Sequence, residues 1–275
     1  MSEAPSSVQA THTGVQRIAD AFAGHGRAGA LMPYVMGGYP DLQTSLEIGQ
    51  ACAAAGADII ELGVPYSDPL ADGPVIHAAG TVALAAGANL AGVLEVARAL
   101  SPSVPVVLMC YANMVFAPGV EAFAERLARS GAAGLIVPDL PLEEAEQTLE
   151  VCDAHGLALV PLLAPTTPPQ RMAAIGARAR GFLYTVSVIG TTGERAALPE
   201  RFAQVVAAAK SHTSAPVALG FGISTAEHVR QAAAAGADGV IIGTRLVRAA
   251  GESQEPAQAV GSVLAELASG LDADR

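Results

Sequence analysis

Short, nearly all-apolar runs alternate along the chain with longer segments in which apolar residues recur every three or four positions. The runs cover residues 30–35, 58–63, 104–110, 134–137, 158–163, 182–187, 217–220 and 239–243. Their lack of polar alternation predicts parallel strands covered on both faces. Between them, Val120, Phe123, Ala124, Leu127 and Ala128 form a helical stripe, and Phe202, Val205, Val206 and Ala209 form another. Val260, Val263, Leu264 and Leu267 mark a last helix, and Val15, Ile18, Ala19 and Phe22 mark an extra one before the first strand. Capping-box spacing at Thr44…Glu47 and Ser224…Glu227 predicts two helix starts. Pro141 followed by Glu143, Glu144 and Glu146 predicts a third, with an acidic first turn.

One hexapeptide, Ala-Ala-Ala-Gly-Ala-Asp, occurs at 53–58 and again at 233–238, with a looser copy at 131–134. Glycine suits the left-handed residue that ends a helix, so the repeat marks helix-to-strand turns. Eight strands with intervening helices and no linker-like break predict a single (β/α)8 TIM barrel with an extra N-terminal helix. An open doubly wound sheet would want a GxGxxG turn after the first strand, and none is present. The predicted organisation is a disordered N-terminal tail (1–13), the barrel (14–270) and a C-terminal tail (271–275).

Composition narrows the function. The chain is 51% hydrophobic, ample for a buried core, and its aromatic content is only 4% with no Trp, so that core is built from small aliphatics. A formal net charge of −11 disfavours nucleic acid and anionic membranes as partners. It also means that an anionic ligand must be held largely by backbone N–H groups. Cys52, Cys110 and Cys152 form no CxxC pair and read as buried free thiols, and the histidines show no metal-ligand spacing. The first residues lack the basic start and apolar core of a signal peptide, and no run is long enough to span a bilayer. Together these features predict a cytoplasmic protein without a metal.

The C-terminal ends of barrel strands carry the chemistry, and Glu61 interrupts one of these strands. It shares a face with Ile59 and Gly63, opposite Ile60, Leu62 and Val64. A carboxylate buried there acquires a raised pKa and can give and take a proton near neutrality; the alternative is a structural glutamate paired with a distant arginine. Asp68 and Asp72 follow in a loop punctuated by Pro65, Pro69, Gly73 and Pro74, where each alone reads as a turn former. Toward the end of the chain, Thr192-Gly193, Phe221-Gly222-Ile223-Ser224 and Gly243-Thr244 bring glycines to adjacent strand ends. Successive N–H groups at such ends make an anion nest, and barrels bind phosphate there. Tyr34, Met109, Tyr111 and Tyr184 fall at strand ends and either line a ligand slot or belong to the core.

Glu61-Leu-Gly-Val-Pro-Tyr-Ser-Asp-Pro-Leu-Ala-Asp-Gly-Pro74 resembles the characteristic segment of the tryptophan synthase α-subunit family. Family-like segments follow in order at 33–41, 111–113, 137–141, 190–193 and 220–224, so the resemblance covers all but the ends. It implies retro-aldol cleavage of indole-3-glycerol phosphate to indole and glyceraldehyde 3-phosphate. Glu61 is then the proton-transfer residue at the indole ring, and Asp72 the carboxylate that hydrogen-bonds the indole N–H. Tyr34, Met109, Tyr111 and Tyr184 line the indole pocket. Thr192, Gly193, Phe221, Gly222, Gly243 and Thr244 hold the phosphate. Arg195 anchors a lid over 188–198. The resemblance also implies no cofactor and a separate β subunit in an α2β2 complex. The chain departs from the family at Met36, commonly Thr, at Val188-Ile189, commonly basic or polar, at Thr191, and conservatively at Thr244. The altered lid motivates an alternative, a stand-alone lyase releasing indole. A non-catalytic activator of a β subunit is disfavoured by the presence of Glu61 and Asp72. A barrel for another sugar phosphate leaves the 61–74 segment unexplained.

Overall fold

A computed structural model of the protein describes residues 13–186, 202–220 and 222–272. Each expected apolar run contains a strand: β1 (Ala30–Met36), β2 (Ile60–Gly63), β3 (Val106–Met109), β4 (Gly134–Ile136), β5 (Ala158–Val160), β6 (Leu162–Leu163), β7 (Leu183–Val186), β8 (Val217–Gly220) and β9 (Gly239–Ile242). All pair in parallel in the order β5-β4-β3-β2-β1-β9-β8-β7-β6. The two outermost strands of that order, β5 and β6, are separated only by Pro161, so both edges of the sheet meet in one stretch of chain and the staves wrap into a barrel. The sequence predicts one strand over 158–163. Proline has no N–H to give to the ladder and so divides it, while the Pro161 carbonyl still accepts from the Tyr184 N–H at 3.0 Å.

Strand alternation sorts side chains into two cores. Ala30, Met32, Ile59, Val107, Ile136, Val160, Phe182, Tyr184, Ala218 and Ile241 fill the barrel interior. Their neighbours Leu31, Ile60, Leu62, Leu108, Leu135, Leu219 and Val240 face outward into the layer beneath the helices. The extra helix α1 (Gly14–Gly24) lies across the N-terminal end, where Ile18 is fully buried against the interior cluster and Phe22 meets Phe182 with ring centroids 5.7 Å apart.

The remaining helices are α2 (Leu42–Ala54), α3 (Pro74–Ala85), α4 (Leu90–Leu100), α5 (Ala112–Phe116), α6 (Val120–Arg129), α7 (Glu146–Ala154), α8 (Pro169–Ala177), α9 (Phe202–Lys210), α10 (Ala226–Ala234), α11 (Thr244–Glu252) and α12 (Pro256–Ala268). Three predicted helix starts move. Helix α2 is capped by Asp41, whose Oδ1 accepts from the Thr44 N–H at 2.8 Å and whose Oδ2 accepts from the Thr44 hydroxyl at 2.7 Å, so Thr44 lies inside the helix. The α10 cap is Thr225 rather than Ser224 and accepts from the His228 N–H at 3.1 Å. After Pro141 the chain makes a 3-10 turn (Leu142–Glu144) before α7 begins. No single helix among the described residues is long and apolar enough to cross a membrane.

The repeated hexapeptide does the same work twice. Gly56 and Gly236 both take φ of +89°, ending α2 and α10 in the left-handed region. The aspartate that follows clamps the start of the neighbouring strand. Asp58 Oδ2 accepts from the Leu31 N–H at 2.7 Å and pairs with Arg27. Asp238 Oδ2 accepts from the Val217 N–H at 2.8 Å, and its Oδ1 pairs with Lys210 Nζ at 2.7 Å. These clamps lie at the N-terminal end of the barrel, the end associated with stability. Packing continues through Leu271, which is fully buried and whose carbonyl accepts from the Ala28 N–H at 3.0 Å.

Candidate active site

Glu61 is the second residue of β2 and faces the barrel interior, as the strand alternation requires. Its ladder neighbours are Tyr34 on β1 and Val107 on β3. Only 2% of Glu61 is exposed, and no group among the described residues hydrogen-bonds its Oε2. A distant arginine, the structural alternative, is therefore not paired with it among the described residues. Burial, reinforced by the negative charge of Asp72, raises its pKa to about 8.

Asp72 stands one residue before Gly73, the N-cap of α3, with Pro74 as the first helical residue. Gly73 and Pro74 form the helix entry, and Asp72 stands at its threshold, near enough to Glu61 for the two charges to interact. Burial raises the Asp72 pKa; a hydrogen bond from Tyr111 and the proximity of His77 pull the other way. Two carboxyls thus share one apolar setting, and each makes ionisation of the other harder.

The tyrosines close around this pair. Tyr34 is 7% exposed and Tyr184 4% exposed. Burial drives both phenol pKa values well up, with further upward contributions from Asp72 and Glu61 at Tyr34 and from Glu61 at Tyr184. The Tyr34 hydroxyl lies where a side chain on Gly63 would stand, and the Tyr184 hydroxyl does the same over Gly220, so both glycines make room for these rings. Met36 is buried, and its Sδ accepts from the Tyr34 hydroxyl at 3.9 Å, giving the departure from threonine a packing role. Met109, half-buried, ends β3 at the level of Gly63. The phenol oxygen of Tyr111 accepts from the Ala71 N–H at 3.0 Å, and its ring stacks on Tyr66 with centroids 5.2 Å apart.

On the far side of β1 from β2, β8 ends in Gly220 and β9 runs out from Ile242 into Gly243. Gly222 takes φ of +84°, the conformation in which successive N–H groups converge on an anion. Gly243, which has no side chain to cap it, stands at the N-cap of the nine-residue α11, and Thr244 opens the helix. Phe221 and the residues 188–198 that include Thr192, Gly193 and Arg195 lie outside the described residues. Among the described residues no group of three His, Cys, Asp or Glu side chains could hold a metal ion.

Three residues of this neighbourhood carry no sequence-based assignment: Tyr66, His77 and Asp139. Asp139 lies within the family-like segment 137–141, and its Oδ1 accepts from the Ala112 N–H at 2.8 Å, tying the β4 loop to the start of α5. That segment was the available signal for it. Tyr66 and His77 stand out only once the fold brings them beside Tyr111 and Asp72.

A parallel barrel with a buried acid on its second strand whose Oε2 has no partner among the described residues, a second acid on the following loop and glycines at the ends of its last two strands is a (β/α)8 barrel of the enzyme type. The family model described as tryptophan synthase alpha chain matches residues 22–273, and the chain belongs to that family. The tryptophan synthase alpha chain of Synechococcus sp. (strain CC9902) is 50% identical over 239 residues, 86% of this chain and 87% of the relative. That of Methanosarcina mazei is 46% identical over 245 residues, 89% of this chain and 90% of the relative. Among solved structures, Mycobacterium tuberculosis tryptophan synthase superposes with a TM-score of 0.88 at 37% identity, covering 96% of this chain and all of that one. A chain of the Pyrococcus furiosus tryptophan synthase α2β2 complex gives 0.83 at 36% identity, covering 88% and 98%.

Proposed function

We propose that this chain is the α subunit of tryptophan synthase, a lyase that cleaves indole-3-glycerol phosphate to indole and glyceraldehyde 3-phosphate and works with a β subunit in an α2β2 complex. One observation carries the chemistry: Glu61 faces the barrel interior, buried, with its Oε2 unpartnered among the described residues and a pKa pushed up to about 8. At neutral pH such a carboxyl holds its proton yet gives it up readily. Glu61 donates that proton to C3 of the indole, turning the ring into an electron sink. The bond from C3 to the glycerol side chain then breaks, its electron pair returns to the ring, and the side-chain hydroxyl that becomes the aldehyde loses its proton to the Glu61 carboxylate. Asp72 accepts the indole N–H and stabilises the positive charge that exists only between these steps. Tyr34, Met109, Tyr111 and Tyr184 form the apolar slot for the ring. The N–H groups at Gly222, Gly243 and Thr244, with Thr192, Gly193 and Phe221, grip the phosphate, which suits a chain of net charge −11. Arg195 anchors the lid. The buried free thiols of Cys52, Cys110 and Cys152 fit a reducing, cytoplasmic setting.

The test is steady-state indole release from indole-3-glycerol phosphate by the purified chain, with and without a tryptophan synthase β subunit. Release strongly accelerated by the partner supports the α-subunit reading. Brisk release indifferent to the partner makes the protein a stand-alone lyase, and no release in either case overturns the assignment.

A further inference from the structure

We propose that Tyr111 is a positioning residue that holds the loop carrying Asp72, and with it the Asp72 carboxylate, in place; this rests on the lyase reading given above. A single phenol oxygen serves two consecutive loop residues. It accepts from the Ala71 N–H at 3.0 Å and donates its own hydrogen to the Asp72 carboxylate. The loop that carries Asp72 also lays Tyr66 against the Tyr111 ring, so it encloses the phenol from Tyr66 to Asp72. Beyond this grip the loop tip is solvated, with Ser67, Asp68 and Leu70 exposed.

Tyr111 is itself fixed from below. It is 4% exposed and is the N-cap of α5. The flanking backbone is bonded on both sides, with the Cys110 N–H to the Ile136 carbonyl at 3.1 Å and the Ala112 N–H to Asp139 Oδ1 at 2.8 Å. The ends of β3 and β4 therefore determine where a carboxylate on the β2 loop stands. A ring that served only as an apolar wall would need no hydroxyl, and this hydroxyl is committed on both its donor and acceptor sides.

The described groups that face Asp72 electrostatically are Glu61 from β2, Tyr34 from β1, His77 from α3 and Tyr111 from α5, and Asp139 faces Tyr111 from the β4 loop. Of these, Tyr111 is the donor that opposes the upward push of burial on Asp72, with His77 assisting by charge. Removing the donated hydrogen moves the Asp72 pKa upward, so a higher pH is needed to form the carboxylate that the cationic intermediate requires.

Tyr111→Phe keeps the ring and its stacking on Tyr66 and removes only the hydroxyl. The 13Cγ signal of Asp72, assigned by its loss in Asp72→Asn, is titrated by NMR in the wild-type and Tyr111→Phe full-length chains, and kcat against pH is measured in the complex with the β subunit. Asp72 titrating at higher pH in Tyr111→Phe, with kcat down about tenfold, KM changed less than about threefold and the acid limb of kcat moved to higher pH, supports the proposal. An Asp72 titration unchanged by the substitution, or a loss confined to KM, overturns it. The carboxyl titration does not depend on turnover. A wild-type chain that releases no indole while its Asp72 signal still responds to Tyr111→Phe would therefore sink the lyase reading and leave the positioning role standing.

Discussion

Replacing Glu61 by glutamine should make the protein gain stability relative to the wild type as pH rises toward about 8, while it removes the proton that the reaction needs. The carboxyl is buried, and its pKa rises from 4.5 to about 8 on folding. Below about pH 4.5 the group is protonated in both folded and unfolded chains, and ionisation contributes nothing to the comparison. As pH rises, the unfolded chain releases the proton while the folded chain holds it until about pH 8. Each intervening pH step favours the unfolded state of the wild type by about 1.4 kcal/mol. Glutamine has no proton to release. Its amide can leave a buried donor unsatisfied, which costs about 1–3 kcal/mol, but that cost is independent of pH. The quantity to read is therefore how the stability difference between the two proteins changes with pH. Urea unfolding of the wild-type and Glu61→Gln chains should show the variant gaining about 3 kcal/mol on the wild type between about pH 5 and about pH 7. The gain should level off above about pH 8, where the folded carboxyl ionises too. Asp72 is the coupled charge, so Asp72→Asn should lower the Glu61 pKa and flatten the curve. A difference constant to within about 0.5 kcal/mol across that range would refute the raised pKa, and with it the proposed reason that Glu61 acts as an acid near neutrality.

Three further outcomes are expected. Asp58→Ala removes the acceptor of the Leu31 N–H and the charge partner of Arg27, whose guanidinium keeps its bond to the Gly56 carbonyl, and should cost about 2–3 kcal/mol in equilibrium denaturation. Asp238→Ala, whose side chain is 36% exposed against 15% for Asp58, should cost less, and the reverse order would contradict the clamp account. Asp72→Asn should lower kcat more than it raises KM, because the charge it stabilises exists only during reaction; a pure rise in KM would argue against that role. Inorganic phosphate should slow amide exchange at Gly222, Gly243 and Thr244, whereas exchange unchanged there at saturating phosphate would move the anion site elsewhere.

Much of the fold can be read from the apolar runs because a parallel barrel hides both faces of each strand and leaves a continuous hydrophobic signal. The orientation of Glu61 was also legible, since period-two alternation assigns it to the face of Ile59 and Gly63, and that face is the interior. Helix starts were less legible. Side-chain caps are chemically interchangeable over a few residues, and here the hydroxyl of Thr44 donates to the Asp41 carboxylate instead of capping the helix itself. The division at Pro161 depends on where the sheet closes, which no local pattern encodes. The repeated Ala-Ala-Ala-Gly-Ala-Asp was readable as a turn through its glycine. The clamp made by its aspartate was not, because Leu31 and Val217 become neighbours of Asp58 and Asp238 only when the strands pair. The bond from the Ala71 N–H to the Tyr111 hydroxyl joins positions 40 residues apart in the same way.

The most direct test of the central claim is cleavage of indole-3-glycerol phosphate by Glu61→Gln in complex with the β subunit, with phosphate binding measured alongside. The account predicts that cleavage is abolished while the fold and phosphate binding persist, since size is kept and only proton transfer is lost. Cleavage retained within about tenfold of the wild type would contradict the role given to Glu61.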